Sequence, residues 1–233
     1  MNKNSNTYVI LYSAIMVILV AVGLAFTSQA LKDKQTENVN KDTMAQILAA
    51  LKLYPEDVPA TYHAVIKEAF LIDKDGQIVP DSEGTDVQDK AFTKDLAEIG
   101  DGTAPVFVAD VDGATKYILG LHGAGLWGPI WGYIALDDDA STVYGINLSH
   151  ASETPGLGAE IANYDHFRQH FEGLEIYKDG NFKSIAVVKK STKVEGQDRV
   201  DGISGGTITS NGVNDMLFNS LSIYRPYLDT LRK

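Results

Sequence analysis

The chain has 233 residues, enough for one domain with appendages but short for two full domains. A formal net charge of -11 argues against a nucleic-acid partner, which would require Lys and Arg clustered against phosphate. The absence of cysteine excludes disulfides, thiolate chemistry and cysteine-ligated iron–sulfur clusters on this chain.

Residues Tyr8 to Phe26 are apolar or small and carry no charge. As a helix this run spans about 28 Å, close to the hydrocarbon thickness of a bilayer. It predicts a membrane anchor rather than a core helix, because an all-round apolar first helix does not suit an acidic soluble domain. A cleaved signal peptide with Lys3 as its basic start is the rival reading. The run is long for a signal core, however, and no clear small-x-small cleavage site follows it. Lys32, Lys34 and Lys41 follow the span and only Lys3 precedes it, which by the positive-inside rule alone places the remainder in the cytoplasm. That rule counts little for a long translocated domain. Gly23 and nearby alanines offer a small-residue face for a partner helix.

Residues 27–43 read as a polar, lysine-rich linker or the start of a stalk helix. Met44, Ile47, Leu48 and Leu51 then predict a short amphipathic helix that stops before Pro55. Asp75-Gly76, Asp112-Gly113 and Asp179-Gly180 each separate two apolar runs, a hairpin signal. The third pair is expected to join 174–177 to Phe182 and the run Ile185 to Val188. Further strands are expected at Trp131 to Leu136 and Val143 to Leu148. Hairpins with a few flanking helices make 44–233 an antiparallel α+β domain, not a doubly wound parallel sheet.

Three stretches of this domain carry polar chemistry. Gly123 to Tyr133 joins two strands through glycine and aromatic residues; it is either a tight connection whose tryptophans fill the core or a platform where Leu126 and Trp127 face a planar ring. In Glu153-Thr154-Pro155-Gly156-Leu157-Gly158 the Pro-Gly turn holds a carboxylate and a hydroxyl where they can bond a polar ligand edge. The same stretch can equally be a plain helix start, with Thr154 as cap ahead of a helical pattern through Ile161, Tyr164, Phe167 and Phe171.

Asp201 to Val213 packs glycines and hydroxyls into one turn ahead of an apolar helix face: Val213, Met216, Leu217, Leu221, Tyr224 and Leu228. Ser210 or Thr209 is the expected N-cap, and Tyr224 to Tyr227 is expected to end the helix. Small residues admit close backbone approach, and free amides at a helix start attract phosphate. This reads as a phosphate-sized anion site with hydroxyls at its rim.

His166 and His170 stand four apart on a predicted helix, a zinc-compatible spacing, but lack an accompanying Glu and a third ligand. They are taken as a solvated face, and Asp137-Asp138-Asp139 as a solvated turn. No metal site is expected.

Asp201, two spacers, Ser204-Gly205-Gly206-Thr207, one spacer and Thr209 together resemble the flavinylation signature of the FMN-binding domain family. That family includes the C-type subunit of the sodium-translocating NADH:quinone reductase and the G-type subunit of the Rnf complex. The usual small residue is Ala where this chain has Gly206. The Gly-Leu-Trp-Gly and Glu-Thr-Pro-Gly-Leu-Gly blocks are similar to the family's as well. The longer N-terminal module and the Ser-Asn-Gly-Val after Thr209 resemble the reductase member more than the Rnf member.

The resemblance implies FMN bound covalently to Thr209 by a phosphoester, placed there from FAD by a magnesium-dependent flavin transferase. Ser204, Gly205, Gly206 and Thr207 would cradle the phosphate, with Glu153, Thr154, Gly156, Leu157, Gly158, Leu126 and Trp127 around the cofactor. It also implies an electron-relay subunit among other subunits of a bacterial cytoplasmic-membrane complex that passes electrons from NADH to quinone while moving sodium. Residues 1–7 would then be a cytoplasmic tail, 8–26 the single span in the lipid bilayer, and 44–233 a domain on the periplasmic side. The Rnf member, a flavoprotein relay outside any ion pump, and a binding module in which Thr209 merely caps a helix are the other readings.

Overall fold

The computed structural model describes residues 6–232, so the basic start expected at Lys3 lies outside them. By its contacts the chain divides into two units, Met1–Asp42 and Thr43–Lys233. Helix α1 runs Asn6–Ala50, and the polar stretch after the apolar run is helical rather than a loose linker. In the first unit the α1 residues from Val9 to Val39 are all exposed, apolar ones included. Among the described residues α1 is the one helix long and apolar enough to cross a membrane. Within it the Thr27 hydroxyl donates to Gly23 O at 2.9 Å, a local bond that satisfies that proton without water.

The second unit is built on a five-stranded antiparallel meander in the order β1 to β5. The strands are β1 Ile66–Asp73, β2 Thr103–Val111, β3 Ala114–Ala124, β4 Pro129–Leu136 and β5 Val143–His150. Both faces are covered. On one face Phe70, Val106, Leu119, Leu121, Ile134 and Leu148 share a core with Val213, Met216, Leu217, Leu221 and Tyr224 of the long helix α4, Thr207–Leu231. On the other face Phe107, Ile118, Tyr133 and Ala135 meet Ile47, Leu48 and Leu51, Tyr62 of α2 (Val58–Val65) and Phe92 of α3 (Lys90–Thr93). Burial on both sides is why the strands read as continuous apolar runs instead of alternating ones.

The hairpins follow local turn chemistry. Asp112 and Gly113 have φ 53° and 81°, and Asp179 and Gly180 have φ 51° and 75°, the left-handed pairs that a two-residue turn matching strand twist requires. The second pair joins only β6 (Tyr177–Lys178) and β7 (Asn181–Phe182). At Asp75-Gly76 the Asp73 carboxylate takes the amides of Asp75 and Gln77, both at 2.9 Å, and the returning chain makes a single bridge, Ile72 to Ile78.

Three expectations are corrected. The run Ile185 to Val188 is not the arm of a hairpin: β8 (Ala186–Val188) pairs in parallel with β9 (Arg199–Asp201). The helix expected over 161–171 is two 3₁₀ turns, Gly158–Ala162 and Arg168–Phe171. Asn163 breaks it, its side-chain oxygen accepting from His166 N at 3.1 Å and so competing with helical bonding. Helix α4 does not end at Tyr224 to Tyr227 but continues through Pro226 to Leu231. The proline removes one backbone bond, and burial of Tyr227 and Leu228 in the core keeps the last turns in place.

The far half of β3 positions the site. Beyond Leu119 the β2 pairing stops, and side chains of α4 take its place. Gly120 N donates to Tyr224 Oη at 3.1 Å, and His122 N to Ser220 Oγ at 3.2 Å. Higher up, a Cβ on Gly123 would stand 2.6 Å from Met216 Cβ, and one on Gly212 only 2.1 Å from Ala124 O. Two glycines thus let helix and strand close up, Gly212 against the strand backbone and Gly123 against the Met216 side chain, which brings the start of α4 beside the β3–β4 turn.

Candidate cofactor site

The β3–β4 turn is closed by Gly125 N donating to Gly128 O at 2.8 Å. It presents Leu126 and Trp127 outward, 47% and 63% exposed, so Trp127 does not fill the core. Trp131, the other tryptophan of this stretch, is half-buried, its Nε1 donating to Gln46 Oε1 at 3.1 Å.

Beyond β5 the chain turns so that Glu153 N donates to His150 Nδ1 at 3.2 Å. That turn aims the Glu153 side chain inward, where it is buried. Its Oε1 accepts from Trp127 N at 2.9 Å, and its Oε2 accepts from Thr209 Oγ at 2.6 Å. One carboxylate therefore ties together all three stretches singled out in the sequence.

The expected N-cap is corrected. Helix α4 begins at Thr207 with Gly206 in the cap position, and no side chain caps it. Ser210 instead accepts from Ile203 N and donates to Gly206 O, both at 2.9 Å, pinning the glycine turn from within the helix. Thr209 is committed to Glu153. The first backbone bond of the helix start runs from Ser210 N to Gly206 O, so the amides of Thr207, Ile208 and Thr209 have no intrahelical acceptor.

Packing around the pair is close. A Cβ on Gly158 would lie 2.2 Å from Glu153 Oε2 and 2.5 Å from Thr209 Oγ; one on Gly205, whose φ is +77°, would lie 2.7 Å from Leu157 Cδ2. Thr209 is only 1% exposed. Outside it Thr154, Pro155, Gly156, Ser204, Gly205 and Thr207 face solvent, together with the apolar Leu157 and Ile208. Ile208, which the sequence reading passed over, shows only as a branched apolar residue amid small polar ones, exposed on the first turn of a helix.

Burial is the strongest single influence on Glu153 and opposes its ionisation. The hydrogen bonds from Thr209, Trp127 and Leu126, with His150 nearby, outweigh it, and the carboxyl lies below the usual glutamate range. The site thus holds an ionised carboxylate, a hydroxyl donating to it, free amides at a helix start and an exposed apolar margin. Free amides suit a phosphate, the hydroxyl suits an ester to it, and the apolar margin suits a planar ring, so the residues fit a flavin mononucleotide.

The other polar clusters stay apart. His166 and His170 do not share a helix: His166 Nδ1 lies 2.9 Å from Glu160 Oε2, and His170 Nδ1 is 3.2 Å from Phe167 O. Asp137 pairs with Lys116 at 2.6 Å, and Asp139 caps the turn by accepting from Ser141 N and Thr142 N, both at 2.8 Å. Among the described residues no group of three or more His, Asp or Glu is arranged to hold a metal.

Residues 125–222 match the family described as FMN-binding domain, an interval that contains Glu153, Thr154, Ser204, Thr207 and Thr209. The C subunit of the Na(+)-translocating NADH-quinone reductase of Vibrio anguillarum is 31% identical over 219 residues, covering 87% of this chain and 82% of that protein. Among solved structures, the corresponding C subunit of Parabacteroides distasonis superposes with a TM-score of 0.79 at 48% identity, covering 85% of this chain and 96% of that one. NqrC of Shewanella oneidensis superposes with a TM-score of 0.64 at 25% identity, covering 82% and 97%. By fold and by similarity along most of its length, the chain belongs to the family of C subunits of the Na(+)-translocating NADH-quinone reductase.

Proposed function

We infer that this chain is a membrane-anchored electron-relay subunit that carries FMN as a phosphoester on Thr209. The observation that carries this reading is the Thr209 hydroxyl itself, on the first turn of a helix with no side-chain cap. A helix N-terminus contributes about 0.3–1 kcal/mol to a surface anion, and about 2 kcal/mol at most. That is too little to retain a cofactor in an open site through repeated redox cycles; an ester bond removes the dissociation route. Ser204, Gly205, Gly206 and Thr207 would hold the phosphate with the free amides. Leu126, Trp127, Leu157 and the turn at Thr154, Gly156 and Gly158 would wall the ring, with Glu153 beneath. When bound, FMN supplies the electron-transfer chemistry, and these residues set its position and surroundings.

Because Thr209 is 1% exposed, loading requires the Pro155–Gly158 turn to lift from it. Residues 8–26 would span the bacterial cytoplasmic membrane, 27–43 form the membrane-proximal stalk, and 44–233 work on the periplasmic side among the other subunits of a sodium-translocating reductase. A flavin transferase would act during maturation. Support for this comes from the apolar exposed run in α1 and the names of the relatives.

Coexpression with a flavin transferase, followed by denaturation, tests the attachment. Protein-bound flavin fluorescence should persist in the wild type and vanish in Thr209→Val, with the added mass on peptide 200–215. Unmodified wild-type peptide, or full labelling of the variant, refutes it. Protease protection in spheroplasts reads the orientation: cleavage of the domain without lysis is expected, and protection overturns the periplasmic placement.

A further inference from the structure

We propose that Glu153 accepts the proton of Thr209 when that hydroxyl is esterified, and that it stays protonated beside the new phosphodiester. The proposal rests on Thr209 being the attachment point.

Geometry comes first. The Thr209 hydroxyl points its proton at Glu153 Oε2 over 2.6 Å. The other carboxylate oxygen is fixed by Trp127 N at 2.9 Å, so the group cannot swing freely and Oε2 stays aimed at the hydroxyl. The nearest imidazole does not compete, since the Nδ1 lone pair of His150 is already taken by the Glu153 amide at 3.2 Å. Glu153 is thus the base in contact with the reacting atom.

The step balances without a change of oxidation state. Thr209 Oγ attacks the flavin-side phosphorus of a flavin adenine dinucleotide, and an O–P bond forms. The bond from that phosphorus to the bridging oxygen breaks, the adenosine monophosphate leaves with the electron pair, and the hydroxyl proton passes to Glu153 Oε2.

Electrostatics then hold the proton in place. In the unmodified site the bond donated by Thr209 helps to keep the carboxyl ionised against burial. Esterification removes that donor and adds an anionic phosphodiester on the same oxygen. Burial and like charge now act in the same direction, so the neutral acid is the stable form and can donate to the phosphate. A buried carboxylate, which would repel the product if it stayed ionised, is converted into a partner for it.

The test uses the full-length chain in detergent with a flavin transferase and flavin adenine dinucleotide, following esterification of peptide 200–215 by mass spectrometry. Glu153→Gln keeps an oxygen for Trp127 N but cannot take the proton. Its initial rate should fall by about 10² or more, the usual range for losing a general base, and Glu153→Asp should recover part of it. The wild-type rate should level off at neutral pH, whereas the Gln variant should keep rising with pH. A second readout needs no variant: infrared difference spectra of ¹³C-glutamate-labelled protein should show a protonated carboxyl at neutral pH only after modification.

A Gln variant labelled at the wild-type rate, or an ionised Glu153 in the modified wild type, overturns the proposal. These outcomes are separable from failure of the attachment itself, in which the wild type would take up no flavin at all.

Discussion

Gly158→Ala puts the closeness of the site to the test. The added methyl would stand 2.2 Å from Glu153 Oε2 and 2.5 Å from Thr209 Oγ, and neither oxygen can retreat while they remain bonded at 2.6 Å. Gly158 is outside the left-handed region, so its backbone accepts alanine, and the smaller unfolded-state entropy alone would stabilise by about 0.4–1 kcal/mol. Against this stands the loss of a buried hydrogen bond to a charged group, about 1.5–3 kcal/mol. The clash wins, for a net loss of about 1–2 kcal/mol. In a domain of this size that lowers the melting temperature by about 2–8 °C.

Thermal unfolding of the unmodified full-length chain, followed by circular dichroism in detergent, measures it. The same substitution in a Glu153→Ala background supplies the control: with the carboxylate gone Thr209 can rotate away, and Gly158→Ala should cost under about 0.5 kcal/mol or stabilise. Equal losses in both backgrounds, or no loss in either, would refute the packing of this turn over the Glu153–Thr209 pair.

Gly212→Ala meets a backbone carbonyl, Ala124 O, at 2.1 Å, which no rotamer change relieves; overpacking there should cost about 1–3 kcal/mol in urea unfolding and impair flavin loading as the helix start moves. Tyr224→Phe leaves the buried Gly120 amide without its acceptor and should cost about 1–3 kcal/mol with an unchanged urea m-value; a cost under about 0.5 kcal/mol would mean that α4 does not complete the edge of β3. The folded Glu153 carboxyl is lowered, so its stabilising effect is present above the ordinary glutamate pKa of about 4.3 and lost as pH falls through the folded value. The stability gap between wild type and Glu153→Gln should therefore be flat from about pH 8 to about 5 and shrink in more acidic buffer; a gap that widens in acid would contradict that sign.

Features fixed by neighbouring residues were legible in the chain itself. Asp112-Gly113 and Asp179-Gly180 take the left-handed turn their residue types favour, and the strands at Trp131 to Leu136 and Val143 to Leu148 form as expected. The errors arose where a distant or competing partner decided the outcome. Asn163 diverted its side chain to His166 N and broke a helix that apolar spacing alone predicted. Val187 found its partner in Val200, across a stretch that no turn signal links. Thr209 and Ser210 have the right chemistry for a cap, yet the Thr209 hydroxyl was claimed by distant Glu153 and that of Ser210 by Ile203 and Gly206 of the preceding turn, and the helix began at Thr207 instead.

The sequence by itself determined the apolar first segment, the hairpin architecture and the three short stretches where small residues meet hydroxyls and a carboxylate. Each is written in consecutive residues, because turn conformation, helix face and span length are local properties of the chain. Only the tertiary structure decided that Glu153 joins Trp127, 26 residues earlier, to Thr209, 56 residues later. Those bonds exist because the meander brings β3, β4 and β5 side by side and because Gly123 and Gly212, lacking side chains of their own, let α4 lie close against β3. A carboxylate fixed on a rigid turn can then hold a hydroxyl that spacing along the chain does not relate to it.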